Sequence, residues 1–182
     1  MIDLIKLENI IKNHKINLKE EDVLNFLKIK HRWPFRYLGG QPSVEIITNN
    51  SFLESSHFFG IDNYLNYENW KYFYDLGFTT IISNTLDLND ELRELNKKLT
   101  DETGLRINCN MYFSKPGKLP SFPYHKHEYD VIVKQIYGSS EWKLDNKYFT
   151  LTPESTCIIP KNTLHQVLSK NENKLSLTIN IQ

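Results

Sequence analysis

The C-terminal half of the chain leaves little choice of architecture. Short runs of apolar, aromatic and β-branched residues recur there: Leu105 to Phe113, Tyr129 to Tyr137, Trp142 to Leu144, Tyr148 to Leu151, Thr156 to Ile159, His165 to Leu168 and Leu175 to Ile181. Turn formers separate them, among them Gly138-Ser139, Asp145-Asn146, Pro153-Glu154, Pro160-Lys161-Asn162 and Asn171-Glu172-Asn173. Many short strands with close turns and no βαβ alternation predict a sandwich or barrel.

The first part of the chain reads differently. Leu4, Ile5, Leu7, Ile10 and Ile11 follow the three-and-four spacing of an amphipathic helix over Leu4 to Asn13. A second helix carries Val23, Leu24, Phe26, Leu27 and Ile29, with Asn17 as its expected cap and Glu20 at the third position of a capping box. Pro34 and Gly39-Gly40 end this helical portion, and Val44 to Ile47 is a short strand. From Asn49 to Tyr74 no clean period is visible, which predicts loops and short helices over a cavity mouth. Phe78 to Ile82 is a strand, and Leu88, Leu92, Leu95 and Leu99 give a helix that stops near Gly104. The expected organisation is one mostly β domain over 1–182, with a helical and loop-rich leader at 1–77 and a barrel at 78–182.

Composition limits the partners. Lys plus Arg and Asp plus Glu are both 22, so a polyanion-binding surface and a nucleic-acid partner are not expected. No stretch is long and apolar enough for a bilayer, and the N-terminus lacks a basic, apolar leader, so a cytoplasmic protein with no membrane partner is expected. Cys109 and Cys157 sit among strand formers without CxxC spacing and read as reduced, buried thiols.

The residue pattern with chemical content is His125-Lys126-His127. Alternation along a strand points side chains two apart to the same face, so both imidazoles emerge together. His165, 38 residues after His127, lies in a second strand-like run. Three imidazoles converging from two strands make a metal site, with His125, His127 and His165 as ligands. For any one histidine the plainer reading is a structural or surface role. That reading is kept for His14, His31 and His57, which have no partner spacing.

Asn110-Met111-Tyr112-Phe113 before Pro116-Gly117, then His125-x-His127-x-x-Asp130-Val131, Gln135, Gly138 and Trp142, resembles the JmjC-like cupins of the bacterial ribosomal-oxygenase type. Leu151-Thr152-Pro153-Glu154, Cys157-Ile158-Ile159-Pro160, His165 and the closing Leu175 to Ile179 extend the likeness over about residues 78 to 182. The resemblance implies a double-stranded β-helix, or jelly-roll cupin barrel, holding one Fe(II) with 2-oxoglutarate beside it. Zn, Ni, Mn or Cu are the alternative metals for three histidines.

Carried over by position, His125 and His165 are imidazole ligands, and His127 stands where the family has aspartate. A neutral nitrogen there leaves the metal one more positive charge. Asn110, Tyr112 and Ser114 match residues that line the co-substrate pocket. Ser140 replaces the Lys or Arg that would hold the distal carboxylate of 2-oxoglutarate, and a neutral donor makes a contact about half as strong. Lys134 and Lys143 are the other cations near by, though neither occupies the family's position. These departures weigh against 2-oxoglutarate use.

Asp130 is the candidate catalytic carboxylate, by approaching the metal or fixing an imidazole tautomer; a turn cap or edge pair is its plainer role. Gln135 and Trp142 read as core and pocket wall, with Trp142 also able to touch substrate. The implied activity is metal-dependent oxygenation of a small molecule or peptide side chain. Non-oxidative metal catalysis (isomerase, epimerase or lyase) and a non-catalytic binding module are the alternatives. A homodimer is the expected self-association.

Overall fold

Ten strands and four α-helices make up the fold among the described residues. The computed structural model describes residues 2–29, 33–35, 43–117, 121–169 and 171–181; Gly39-Gly40 and His31, singled out above, lie outside them. Helix α1 (Leu4–Asn13) is capped by the Asp3 carboxylate, which accepts from the Ile5 and Lys6 amides at 3.1 and 3.0 Å. Helix α2 (Glu20–Lys28) is not capped by Asn17. The Lys19 amide donates to the Asp22 carboxylate at 2.8 Å, and Asn17 instead reaches Glu91 through its backbone at 2.7 Å and its side-chain amide at 3.0 Å. The polar residue nearest the expected start was recruited by a tertiary partner.

Strands β1 (Val44–Thr48) and β2 (Ser51–Phe52) form a hairpin, and α3 (Tyr67–Asp75) follows. Helix α3 falls inside the stretch expected to hold loops and short helices. Its aromatic residues are modest helix formers, so packing decides. Trp70 and Tyr74, one turn apart, stack at 5.2 Å on the buried side, and the Trp70 indole donates to Thr80 at 2.9 Å. Strand β3 (Thr79–Ile82) leads to α4 (Asp90–Thr103), which presents Leu92, Leu95 and Leu99 to the core and stops at Gly104 in the left-handed region (φ 67°).

The remaining strands are β4 (Asn108–Ser114), β5 (Asp130–Tyr137), β6 (Ser140–Leu144), β7 (Lys147–Leu151), β8 (Thr156–Ile159), β9 (His165–Ser169) and β10 (Lys174–Ile181). All pair antiparallel, in a seven-stranded sheet of order β2-β1-β3-β4-β10-β5-β8 and a three-stranded sheet of order β7-β6-β9. This is the two-sheet jelly roll that the sequence predicts, without strict closure.

The large sheet has two chemically different faces. Toward the helices it presents Cys109, Met111 and Phe113 from β4 and Leu175, Leu177, Ile179 and Ile181 from β10, all in the main core. Toward the interior the same strands present polar residues, because period-2 alternation puts Asn110, Tyr112 and Ser114 opposite Thr178, Ser176 and Lys174. Strand β5 is apolar on both sides, with Ile132 and Ile136 in the main core and Val131 and Val133 in a second cluster with Trp142, Leu151 and Ile159.

Lys134 is on the helix side of β5, fully buried. Its ammonium donates to the carbonyls of Ile11, Lys12 and His14 at 3.1, 3.3 and 2.6 Å, and pairs with Glu154 at 3.1 Å. It serves the open C-terminal carbonyls of α1 and fastens that helix to the sheet. It therefore cannot also be the cation of the interior pocket. Both cysteines are free thiols, Cys109 buried and Cys157 half-buried. Among the described residues no helix is long and apolar enough to cross a membrane.

Candidate metal centre

His125 and His127 precede β5 in an extended segment, rather than lying within a ladder. The segment is tied to β9 at one point, where His125 and His165 exchange both backbone hydrogen bonds, His125 N to His165 O at 3.0 Å and the reverse at 2.8 Å. Such a pair sets the two Cα atoms about 5.5 Å apart with side chains on a common face. The turn before β9 is fastened to the same segment. The Asn162 amide donates to the His127 carbonyl at 2.7 Å, and the Lys161 amide to the Asp130 carboxylate at 2.8 Å.

These backbone bonds bring the three imidazoles together. Ring centroids are 5.0 Å apart for His125–His127, 4.4 Å for His125–His165 and 5.0 Å for His127–His165. One nitrogen of each lies within 4.8 Å of the others, so the group could hold a metal ion. Nitrogens around a tetrahedral ion at about 2.0–2.1 Å sit roughly 3.3 Å apart, a gap that small ring rotations close.

The tautomers of two histidines follow from their partners. His125 Nδ1 lies 2.8 Å from the Pro123 carbonyl and His165 Nδ1 3.0 Å from the Thr163 carbonyl. A carbonyl can only accept, so each Nδ1 carries the proton and each Nε2 keeps its lone pair for a metal. Burial, followed by the neighbouring imidazoles, lowers the His127 pKa to about 4. Burial also lowers that of His165, which is 4% exposed. Both effects favour the neutral form that a metal needs.

Each ring is backed by an aromatic side chain. Tyr129 stacks on His127 at 5.1 Å, Phe122 leans on His125 at 5.5 Å, and Trp142 stacks on His165 at 6.3 Å. Behind the histidines is a cavity of about 60 Å³, enough for roughly four water-sized positions. One wall is apolar, from Val131, Val133, Trp142, Ile159 and Val167; the other is polar, from Tyr112, Ser176, Thr178, Thr79, Ser121 and Lys174. Burial pushes the Tyr112 phenol up to about 12, so it is a neutral hydrogen-bonding group.

The other residues expected at the site are distributed as follows. Tyr112 and Trp142 line the cavity. Asn110 and Ser114 lie on the same face of β4 as Tyr112, and Asn110 Oδ1 and Ser114 Oγ are buried without hydrogen-bond partners. Ser140 is outside the lining, its hydroxyl donating to Gln135 Oε1 at 2.9 Å and accepting from the Trp142 indole at 2.8 Å. Its role in the structure is to aim Trp142. Asp130 holds the Lys161 turn, as described, and is not in the cavity wall. Lys143 lies over the rings of Tyr124 and Tyr148.

Sequence reasoning did not single out Lys174, Phe122, Thr79, Ser121, Ser176 or Thr178. The alternation Lys174, Ser176, Thr178, Asn180 against Leu175, Leu177, Ile179, Ile181 was the available signal for the polar face of β10. His14 is a buried structural residue, its Nε2 2.7 Å from the Glu91 carbonyl. His57 is exposed beside Phe73.

No protein-family model matches the sequence, and no curated protein is significantly similar to it. Solved structures are similar in fold. The ribosomal oxygenase YcfD from Escherichia coli aligns over 93% of this chain and 45% of its own, with a TM-score of 0.59 and 15% identity. A cupin 2 conserved barrel domain protein from Leptotrichia buccalis aligns over 42% of this chain and 36% of its own (TM-score 0.38, 24% identity). KdgF from Halomonas sp. aligns over 41% and 66% (TM-score 0.37, 20% identity). The chain thus spans less than half the length of the Escherichia coli protein, and the likeness to that protein, at 15% identity, speaks for the fold alone. The fold is that of a cupin barrel preceded by helices, with a cluster of three histidines at the point where its two sheets meet.

Proposed function

We propose that the protein is a metal-dependent cupin enzyme in which His125, His127 and His165 hold one Fe(II) ion for oxygenation of a small molecule or a single peptide side chain. One observation carries the reading: three imidazoles converge on the mouth of a cavity, two with their Nε2 lone pairs freed by Nδ1 bonds to main-chain carbonyls. Imidazole donors suit iron, as they do zinc, copper and nickel, and a facial triad leaves open positions for oxygen and substrate. When bound, the ion supplies oxygen activation. The protein supplies a fixed donor set, an apolar wall to exclude water and a polar wall to orient the ligand. The small cavity supports a small substrate or one inserted side chain.

The wholly neutral donor set favours a second reading. A divalent ion held by three imidazoles keeps its full charge and is a stronger Lewis acid than one with a carboxylate ligand, which suits isomerase, epimerase or lyase chemistry. Metal analysis of anaerobically purified protein, followed by oxygen uptake with and without 2-oxoglutarate, separates the two. Stoichiometric iron with substrate-dependent oxygen uptake is expected. Zinc or nickel with no oxygen uptake would replace the oxygenase reading by the Lewis-acid one. Uptake that requires 2-oxoglutarate would assign it as co-substrate.

A further inference from the structure

The two sheets are joined beside the histidines by the segment Ser121-Phe122-Pro123, which belongs to neither. On the side of the large sheet, the Asn50 amide in the β1–β2 turn donates to the Ser121 carbonyl at 3.1 Å, and the Ser121 and Thr79 hydroxyls share a hydrogen bond of 2.5 Å. On the side of the small sheet, the Gln166 side-chain amide of β9 donates to the Phe122 carbonyl at 2.8 Å. The main chain at Phe122 is therefore tied from both directions. Its half-buried ring lines the cavity and leans on His125 at 5.5 Å. It also meets Tyr112 edge-on at 5.9 Å and Phe52 edge-on at 6.2 Å, an arrangement that aromatic pairs prefer. Phe52, on β2, is 56% exposed. A row of rings thus runs from the surface at Phe52 through Phe122 to the cavity wall at Tyr112 and His125.

We propose that Phe122 determines specificity by setting the width of this cavity, so that the site takes narrow, unbranched ligands and turns away those that carry a six-membered ring. A cavity of about 60 Å³ has room for a short chain and not for a ring. Protein interiors are close-packed, so a wider ligand could enter only by displacing the Phe122 ring. Its main-chain ties to Gln166 and, through Ser121, to Thr79 and Asn50 oppose that displacement. Removing the ring would leave a benzene-sized void beside Tyr112, His125 and Phe52, and apolar voids of that size stay dry and take up benzene. That this width selects the ligand of a metal centre rests on the metal reading above, whereas the width itself does not.

Titrations of the whole protein in two forms provide the test. Metal-free wild type and Phe122→Ala are titrated calorimetrically with indole, and the variant is expected to bind it at least about tenfold more tightly. The Co(II)-loaded proteins are titrated with azide and with 4-phenylimidazole, followed by visible absorption. At unchanged Co(II) stoichiometry and circular dichroism, azide affinity should agree within about threefold, while 4-phenylimidazole binds the variant at least about tenfold more tightly. If Phe122→Ala does not fold, Phe122→Leu takes its place, with a severalfold gain expected for both ring-bearing probes. Indole binding that is no tighter in the variant would overturn the proposal, as would wild type that binds 4-phenylimidazole as tightly as the variant does. A variant that loses azide and 4-phenylimidazole alike would reduce Phe122 to a packing residue and overturn it too. Wild type that takes up no Co(II) would lose the metal centre, and the indole titration would then decide the width alone.

Discussion

Replacing Lys134 by methionine keeps an unbranched stem of similar length and removes the ammonium, with its charge and its donors. The ammonium is fully buried and donates to three carbonyls at the end of α1, with Glu154 as its only acidic partner among the described residues. Two of those bonds are buried, and each orphaned acceptor costs about 1–3 kcal/mol. Relief of the ammonium's own desolvation offsets part of this. The net loss is expected at about 3–5 kcal/mol, the range found when one partner of a buried charged contact is removed. For a chain of 182 residues that lowers the melting temperature by roughly 6–20 °C. Urea unfolding of Lys134→Met should therefore show a lower midpoint at an unchanged slope. Glu154→Gln is the control: that side chain is 57% exposed, so its loss should cost under about 1 kcal/mol. A Lys134→Met protein within 1 kcal/mol of wild type would refute the view that this lysine clamps the leader helix.

His125→Ala and His165→Ala should each abolish stoichiometric metal binding, measured by elemental analysis after dialysis, while leaving the circular dichroism spectrum unchanged. Gly138→Ala combines a left-handed backbone with a Cβ 2.1 Å from a carbonyl oxygen and should cost more than about 2 kcal/mol in thermal unfolding. His127 is held below its unfolded pKa, at about 4 against 6.5. Its contribution to the stability of metal-free protein is complete above pH 6.5 and is lost as the pH falls toward 4. Melting temperatures across that window should fall more steeply for wild type than for His127→Asn. Burial raises the Cys109 thiol to about 12 and the Cys157 thiol to about 11. Neither should react rapidly with a disulfide reagent at pH 8 until urea is added.

Much of the fold was readable because strands announce themselves locally. The runs from Leu105 to Ile181 and the leucine spacing of α4 each carry their own period. Helix α3 did not, since Trp70 and Tyr74 become a helix face only by stacking against β3 and β4. The histidine triplet was legible because two members are neighbours in sequence and the third sits at the start of a strand. The duties of the lysines were not. Lys134 and Lys174 lie on opposite faces of one sheet through the registers of β5 and β10, and no local pattern encodes such long-range pairing. Ser140 stood in a family position, yet its hydroxyl is committed to Gln135 and Trp142, partners fixed only by the hairpin and bulge around Gly138.

The exchange of main-chain hydrogen bonds between His125 and His165 has a consequence for how this site can change over time. Its frame is made of amides and carbonyls: the bridge itself and the Asn162 bond to the His127 carbonyl. None of these bonds depends on which side chain stands at positions 125, 127 or 165. The donor set is thus an interchangeable layer on a stable scaffold, and one substitution, His127→Asp, would convert a neutral triad into an anionic one without disturbing the seam between the sheets. On the metal reading proposed above, a change of donor set at these positions would alter the chemistry of the centre and leave the architecture as it is.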